Sequence, residues 1–200
     1  MNIITISRQF GSGGRELGKR LADLLGYEYY DKEIISEIAR CKRLDKDYVE
    51  KSLSTVALKS IPVSFGRSVM PSYNFSTELM LEERRIIEEI ASRGKDFIIV
   101  GRNADVILDS FSPFNIFVCA SMDARIDRCL KHLHDNETND RKAMEKAIKR
   151  VDKERIRTRT IVTEREWGEI SSYHVVINTT NQDIKELSKV VCNFIKELKK

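Results

Sequence analysis

An apolar run, Ile3-Ile4-Thr5-Ile6, leads into Gly11-Ser12-Gly13-Gly14-Arg15 and then into a stretch carrying Leu17, Leu21, Leu24 and Leu25 at helical spacing. Strand, glycine-rich turn and helix in that order describe a phosphate-binding loop. Glycines at 11, 13 and 14 let main-chain N–H groups approach an anion unhindered, and the helix behind them aims its positive dipole end at the same spot. Gly11, Ser12, Gly13, Gly14 and Arg15 are therefore the expected cofactor-binding residues. The ending of the pattern G-x-x-x-x-G-K-[ST] is missing, because Gly14, Arg15 and Glu16 stand where lysine and a hydroxyl belong.

Short apolar runs recur at 97–100, 115–120 and 174–177, with 27–30 as a weaker candidate, and each reads as a strand buried on both faces. Between them lie helical patterns through Ile34, Ile35 and Ile38, through Leu79, Ile86, Ile87 and Ile90, and through Met122, Ile126, Cys129, Leu130 and Leu133. A last one carries Ile184, Leu187, Val191, Phe194, Ile195 and Leu198, with Thr180 and Asp183 as its expected capping box. This alternation predicts an α/β protein with a doubly wound parallel sheet, in one domain spanning 1–200. Two segments interrupt the rhythm. Residues 44–77, with Pro62, Gly66, Pro71, Ser72, Tyr73 and Asn74, read as a helical insertion ending in a flexible loop that folds over a ligand. Residues 135–166 are strongly basic, with a thin apolar line through Ala143, Ala147 and Val151.

The 35 Lys and Arg against 31 Asp and Glu leave a net charge of +4, which suits a small phosphorylated ligand better than nucleic acid. Cys41, Cys119, Cys129 and Cys192 show no C-x-x-C spacing, so reduced thiols are expected, with Cys119 and Cys129 buried, in a cytoplasmic protein. The amino terminus runs straight into a strand without a leader pattern, and no window reaches the about 18 apolar residues of a membrane helix.

Ligands of open parallel sheets bind beyond the carboxyl ends of the strands. The residues expected there are Ser7 and Arg8, Asp31, Gly101-Arg102-Asn103, Ser121, and Asn178 with Thr179. Arg102, launched from a buried strand, is suited to a bidentate grip on an acceptor phosphate. Asp31 either orients the acceptor, holds a cation through water, or caps the helix opening at Lys32. Arg155 and Arg159, four apart, share a helical face from which a lid would bring both onto a triphosphate. His132, His134 and His174 lack metal-ligand spacing and read as structural, and no protein metal site is expected.

The run from Ile6 through Ser7-Arg8-Gln9-Phe10-Gly11-Ser12-Gly13-Gly14-Arg15 to Glu16, with Tyr29-Tyr30-Asp31, Ile99-Val100-Gly101-Arg102 and Trp167-Gly168, resembles the cytidylate kinase-like family of P-loop proteins. The resemblance implies a P-loop NTPase fold: a five-stranded parallel sheet of order 2-3-1-4-5 with helices on both faces. It also implies that 44–77 binds the acceptor and that 135–166 is an arginine-bearing lid. Against that family's pattern, Gly14 replaces the loop lysine, Glu16 a magnesium-binding hydroxyl, Val100 an acidic residue and Glu37 an acceptor-binding arginine. Arg15 and Lys19 are the cations on the next helical turn that would make up the missing charge.

Two functions follow. The first is an ATP-dependent phosphotransferase acting on a nucleoside monophosphate or another small acceptor. The glycine loop would take ATP, Arg102 and Asp31 the acceptor, Arg155 and Arg159 the transferring charge, and Mg2+ would be held mainly by phosphates and water. The second is a nucleotide-binding regulatory module without turnover. A nucleic-acid binder built on 135–166 would lack aromatic stacking partners.

Overall fold

Alternate residues of the central strands feed two separate cores, as a sheet covered on both sides requires. The computed structural model describes residues 1–47, 49, 71–131 and 140–198, and for 71–76 the backbone alone. Five strands, β1 (Ile3–Arg8), β2 (Glu28–Tyr30), β3 (Phe97–Val100), β4 (Phe114–Cys119) and β5 (Val175–Asn178), form one sheet of order β2-β3-β1-β4-β5. Every pairing is parallel, and Ile6 of the central strand lies opposite Val100 on one side and Ile116 on the other. Among the described residues the sheet is accompanied by helices α1 (Gly14–Leu25), α2 (Glu33–Lys42), α3 (Pro71–Ser92), α4 (Ala104–Ile107), α5 (Met122–Leu130), α6 (Arg141–Val162) and α7 (Ile184–Leu198).

Ile3, Phe97 and Ile99 face a core built with Ile34, Ile35 and Ile38 of α2, Leu79, Ile86, Ile87 and Ile90 of α3, and Ala104 of α4. Ile4, Ile6, Ile98 and Val100 face the other core, with Leu17 and Leu21 of α1 and Ile184, Val191 and Ile195 of α7. Gly18 lets α1 lie close to the sheet, since a Cβ there would sit 2.8 Å from Val100 Cγ2. That approach turns the buried face of α1 towards Gly18 and Ala22 and leaves Leu24, predicted to be inside, 43% exposed. The helix ends at Gly26, whose left-handed backbone (φ 71°) directs its N–H to the Ala22 carbonyl.

Three local expectations are corrected. Asp183 itself caps α7, accepting from the Glu186 N–H at 2.9 Å, while the Thr180 hydroxyl accepts from the Ser121 N–H at 2.8 Å. Residues 71–77, expected as loop, are helical and belong to α3. Cys119 and Cys129 are half-buried and Cys192 is buried, all as free thiols. Most of the expected insertion, at 48 and 50–70, lies outside the described residues, as do 135–139 of the basic segment and His132 and His134. His174 accepts from the Asn115 N–H at 2.9 Å and stacks on Phe114. Among the described residues, no helix is long and apolar enough to cross a membrane.

On the first core's side, β1 and β4 turn polar beneath α6. Thr5 Oγ1 donates to Asn115 Oδ1 at 2.6 Å, and Arg159 of α6, only 1% exposed, pairs with buried Asp105 at 2.5 Å and donates to the Arg165 carbonyl. Arg159, expected to close on a ligand, is instead an internal tie between α6 and α4. Removing one partner of such a pair strands a buried charge, at about 3–5 kcal/mol. Arg159→Met should therefore lower Tm by roughly 6–20 °C, the shift such a loss produces in a domain of this size. Asp105→Leu added to it should recover most of the loss in the same thermal melts. Leu21→Ala should cost about 2–5 kcal/mol in denaturant unfolding, and Leu24→Ala under about 0.5.

Candidate functional site

A cavity of about 410 Å3 opens at the carboxyl ends of β1, β2 and β3, where a doubly wound sheet places its ligands. Ser7 and Arg8 end β1, Asp31 follows β2, and Gly101, Arg102 and Asn103 follow β3. Met80 and Glu83 come from α3, and Glu154, Arg155 and Thr158 from α6, with Phe10, Arg15, Lys32 and Trp167 at its walls. Of the residues expected at the site, Arg15, Asp31, Arg102 and Arg155 meet here, and Arg159 does not.

Four guanidinium groups converge on this space, with few counter-charges between them. Asp31, 4% exposed, pairs with Arg15 at 2.5 Å and lies 3.7 Å from Arg8. It does not cap α2, whose N-cap is Lys32; the Asp31 N–H instead donates to Glu33 at 2.9 Å. Arg102 approaches Glu83 at 3.5 Å, and burial pushes the Glu83 carboxyl above the ordinary carboxylate range. Arg155 is lowered, chiefly by burial, although Asp152 works the other way. Arg8 is pushed down to about 9, by burial first and then by Arg155. At neutral pH these arginines still carry their charges, in a place whose field selects anions.

The turn that presents Arg102 is strained. Gly101, Arg102 and Asn103 all have left-handed backbones, with φ of 79°, 60° and 50°. Such geometry at non-glycine residues costs on the order of 1–3 kcal/mol each and persists only where the surroundings impose it.

The glycine loop lies beside the cavity and is pinned from behind. Arg125 Nε donates to the Phe10 carbonyl at 2.7 Å, Arg128 to the Gly11 carbonyl at 2.8 Å, and the Thr179 hydroxyl to the Ser12 carbonyl at 2.7 Å. A trans peptide points its C=O and N–H in opposite directions, so these bonds turn the Gly11 and Gly13 amides away from the donors. At α1 the N-cap, Gly13, offers no side-chain acceptor, which leaves the first-turn amides for a ligand. Packing also requires glycine at two of these positions. Cβ atoms on Gly11 and Gly13 would meet Cys129 Sγ at 2.8 Å and Ile184 Cδ1 at 2.7 Å, and both positions have positive φ. Ser12 is fully buried and its hydroxyl donates to the Gln9 carbonyl, so its side chain is structural.

Helix α6 is held against this loop. Asp152 accepts from the Phe10 N–H at 2.8 Å, from Arg125 through a very short bond, and from Arg155 at 3.2 Å. Arg155 also donates to the Arg8 carbonyl at 2.9 Å, with its guanidinium 5.7 Å from the Phe10 ring centroid. The carboxylates near the cradle are engaged, Glu16 with Arg20 and Asp31 with Arg15. Among the described residues, no group of three or more His, Cys, Asp or Glu is placed to hold a metal. Sequence reasoning missed Glu83 and Asp152 as site-building residues. Both carried a signal: Glu83 falls on the apolar face with Leu79 and Ile87, and Asp152 one turn after Ile148. A charge at an inward helical position is rarely idle.

A family model described as the cytidylate kinase-like family matches residues 3–181. No curated protein matches the sequence. An uncharacterized protein from Eubacterium ventriosum is similar in structure, with TM-score 0.72 and 22% identity over 98% of this chain and 99% of that one. The shikimate kinase of Bacteroides thetaiotaomicron superposes with TM-score 0.57 and 15% identity over 98% of each chain. That of Acinetobacter baumannii, solved with shikimate, gives 0.53 and 14% over 100% of this chain and 95% of that one. Sheet order, the glycine loop at the start of α1 and the family match over nearly the whole sequence agree: the chain belongs to the cytidylate kinase-like family and has the fold of the P-loop kinases.

Proposed function

We propose that this protein is an ATP-dependent phosphotransferase whose acceptor is a small anionic molecule, a nucleoside monophosphate or one of similar charge. One observation carries the reading: Arg8, Arg15, Arg102 and Arg155 converge on a cavity of about 410 Å3 beside the amino end of α1. That volume suits a single small ligand. In this reading Gly11, Ser12, Gly13, Gly14 and Arg15 receive the donor's phosphates through main-chain amides, while Arg102 and Asp31 orient the acceptor. Arg155 spreads the charge that moves during transfer. Magnesium, carried mainly by phosphates and water because Asp31 and Glu16 beside the loop are already paired, would neutralise further phosphate charge. The bond from the terminal phosphorus to the bridging oxygen breaks, with its electron pair leaving on the diphosphate. An ionised oxygen of the acceptor forms the new bond, so no proton has to be removed. The protein's part is positioning and charge stabilisation, with no covalent intermediate.

Thermal melts in the presence of nucleoside mono-, di- and triphosphates, with and without magnesium, test this. A ligand at 100 times its Kd stabilises by about 2.7 kcal/mol, roughly 5–11 °C here. We expect a triphosphate with magnesium to give such a shift, an acidic acceptor to add to it, and the pair together to release nucleoside diphosphate. Arg102→Ala should abolish the acceptor's shift and leave that of ATP. A triphosphate shift with no diphosphate released by any acceptor would identify a regulatory nucleotide-binding module. The absence of any shift would defeat both readings.

A further inference from the structure

We propose that Arg8 supplies the phosphate-gripping charge missing at residue 14, reaching the same space from the other end of the loop. The proposal rests on the phosphotransferase reading and assigns a catalytic contact within it. With Gly14 at the lysine of G-x-x-x-x-G-K-[ST], the second glycine of the pattern is Gly13 and the first falls on residue 8. Residue 8 is arginine. Glycine and cation have exchanged places across the loop.

The geometry shows why the two changes belong together. A Cβ on Gly14 would lie 2.7 Å from Arg8 Cβ and 3.1 Å from its Cγ, and 3.2 Å from Val118 Cβ. These are the rigid stem of the arginine and a strand residue, so a side chain at 14 and the Arg8 stem compete for one volume. Further along, a Cβ on Gly101 would overlap the Arg8 guanidinium. Arg8 thus runs in a channel floored by two glycines and ends in the cavity, among Arg15, Arg102 and Arg155.

Its charge is also unspent. The Arg8 side chain is only 15% exposed, its ion pair with Asp31 is long at 3.7 Å, and that carboxylate is already held by Arg15 at 2.5 Å. Among the described residues its guanidinium donates no hydrogen bond, although it carries five N–H donors. The two cations on the next helical turn are placed for different work. Lys19 lies over the Tyr29 ring, 5.8 Å from its centroid, and the Arg15 side chain is 56% exposed and turned to Asp31. Arg8 is therefore the group positioned to touch the transferring phosphoryl, and its planar fork can hold two oxygens at once where a lysine would offer a point charge.

Arg8→Ala, Arg8→Lys, Gly14→Lys and the reciprocal double variant Arg8→Gly/Gly14→Lys test this. Each is assayed for its unliganded melt, its stabilisation by magnesium-ATP and its release of ADP with the best acceptor. We expect Arg8→Ala to stay folded, to lose most of the ATP stabilisation and to slow transfer by about 10²–10³-fold, the effect of removing one preorganised charge-stabilising donor. Arg8→Lys should keep part of both. Gly14→Lys alone should be impaired, and the double variant should outperform both Gly14→Lys and Arg8→Ala, since the lysine then has the room the arginine left. Wild-type ATP binding and transfer in a folded Arg8→Ala protein would overturn the assignment while leaving the phosphotransferase reading intact. Should Arg8→Ala fail to fold, the double variant decides: no gain over Gly14→Lys overturns the exchange. A wild-type protein that neither binds magnesium-ATP nor transfers phosphate would remove the parent reading, and this role with it.

Discussion

Mutual repulsion among Arg8, Arg15, Arg102 and Arg155 is the constraint around which this end of the molecule is organised. Like charges brought together at the edge of an apolar sheet destabilise the fold unless something holds them there. The holding is done by main-chain and carboxylate contacts: Asp152 and the Arg8 carbonyl on Arg155, Asp31 on Arg15, and a strained turn beneath Arg102. These contacts only partly offset the cluster: Asp31 and Glu154 line the cavity, Asp152 is shared between Arg155 and Arg125, and burial favours the uncharged form of Glu83. Part of the folding free energy is thus offset by repulsion that an anion in the cavity would relieve.

Beneath the cluster, the second arginine system of α6 works in the opposite sense. Arg159 and Asp105 are matched one to one and shut away from solvent. One turn separates Arg155, which faces the cavity, from Arg159, which anchors the helix. The same residue type at i and i+4 serves two purposes because the helix crosses the boundary between the cavity and the packed interior. Spacing alone carries no information about where that boundary falls.

The same limit sets what was legible in the sequence. The five strands, the parallel sheet and the glycine loop were readable because two-sided burial leaves unbroken apolar runs such as 97–100 and forces glycine where elements touch. Arg102 and Asp31 were readable because strand ends in this fold face a common crevice. Leu24 was misjudged because the close approach at Gly18 rotates α1, and Arg159 because its partner Asp105 lies 54 positions away in the chain. Asp183 rather than Thr180 begins α7 because the Thr180 hydroxyl is taken by a segment 59 residues earlier. Each miss is a long-range contact overriding a local pattern that was itself sound.

The turn after β3 leaves a further mark on what this scaffold tolerates. Three successive residues in left-handed conformations disfavour β-branched replacements, so 101–103 is a constrained wall of the cavity. A second wall is a regular helix, from which Met80 and Glu83 line the cavity, with Glu83 3.5 Å from Arg102. Changes to the shape of this cavity, by natural drift or by laboratory selection, therefore meet less backbone constraint at Met80 on α3 than in the loop.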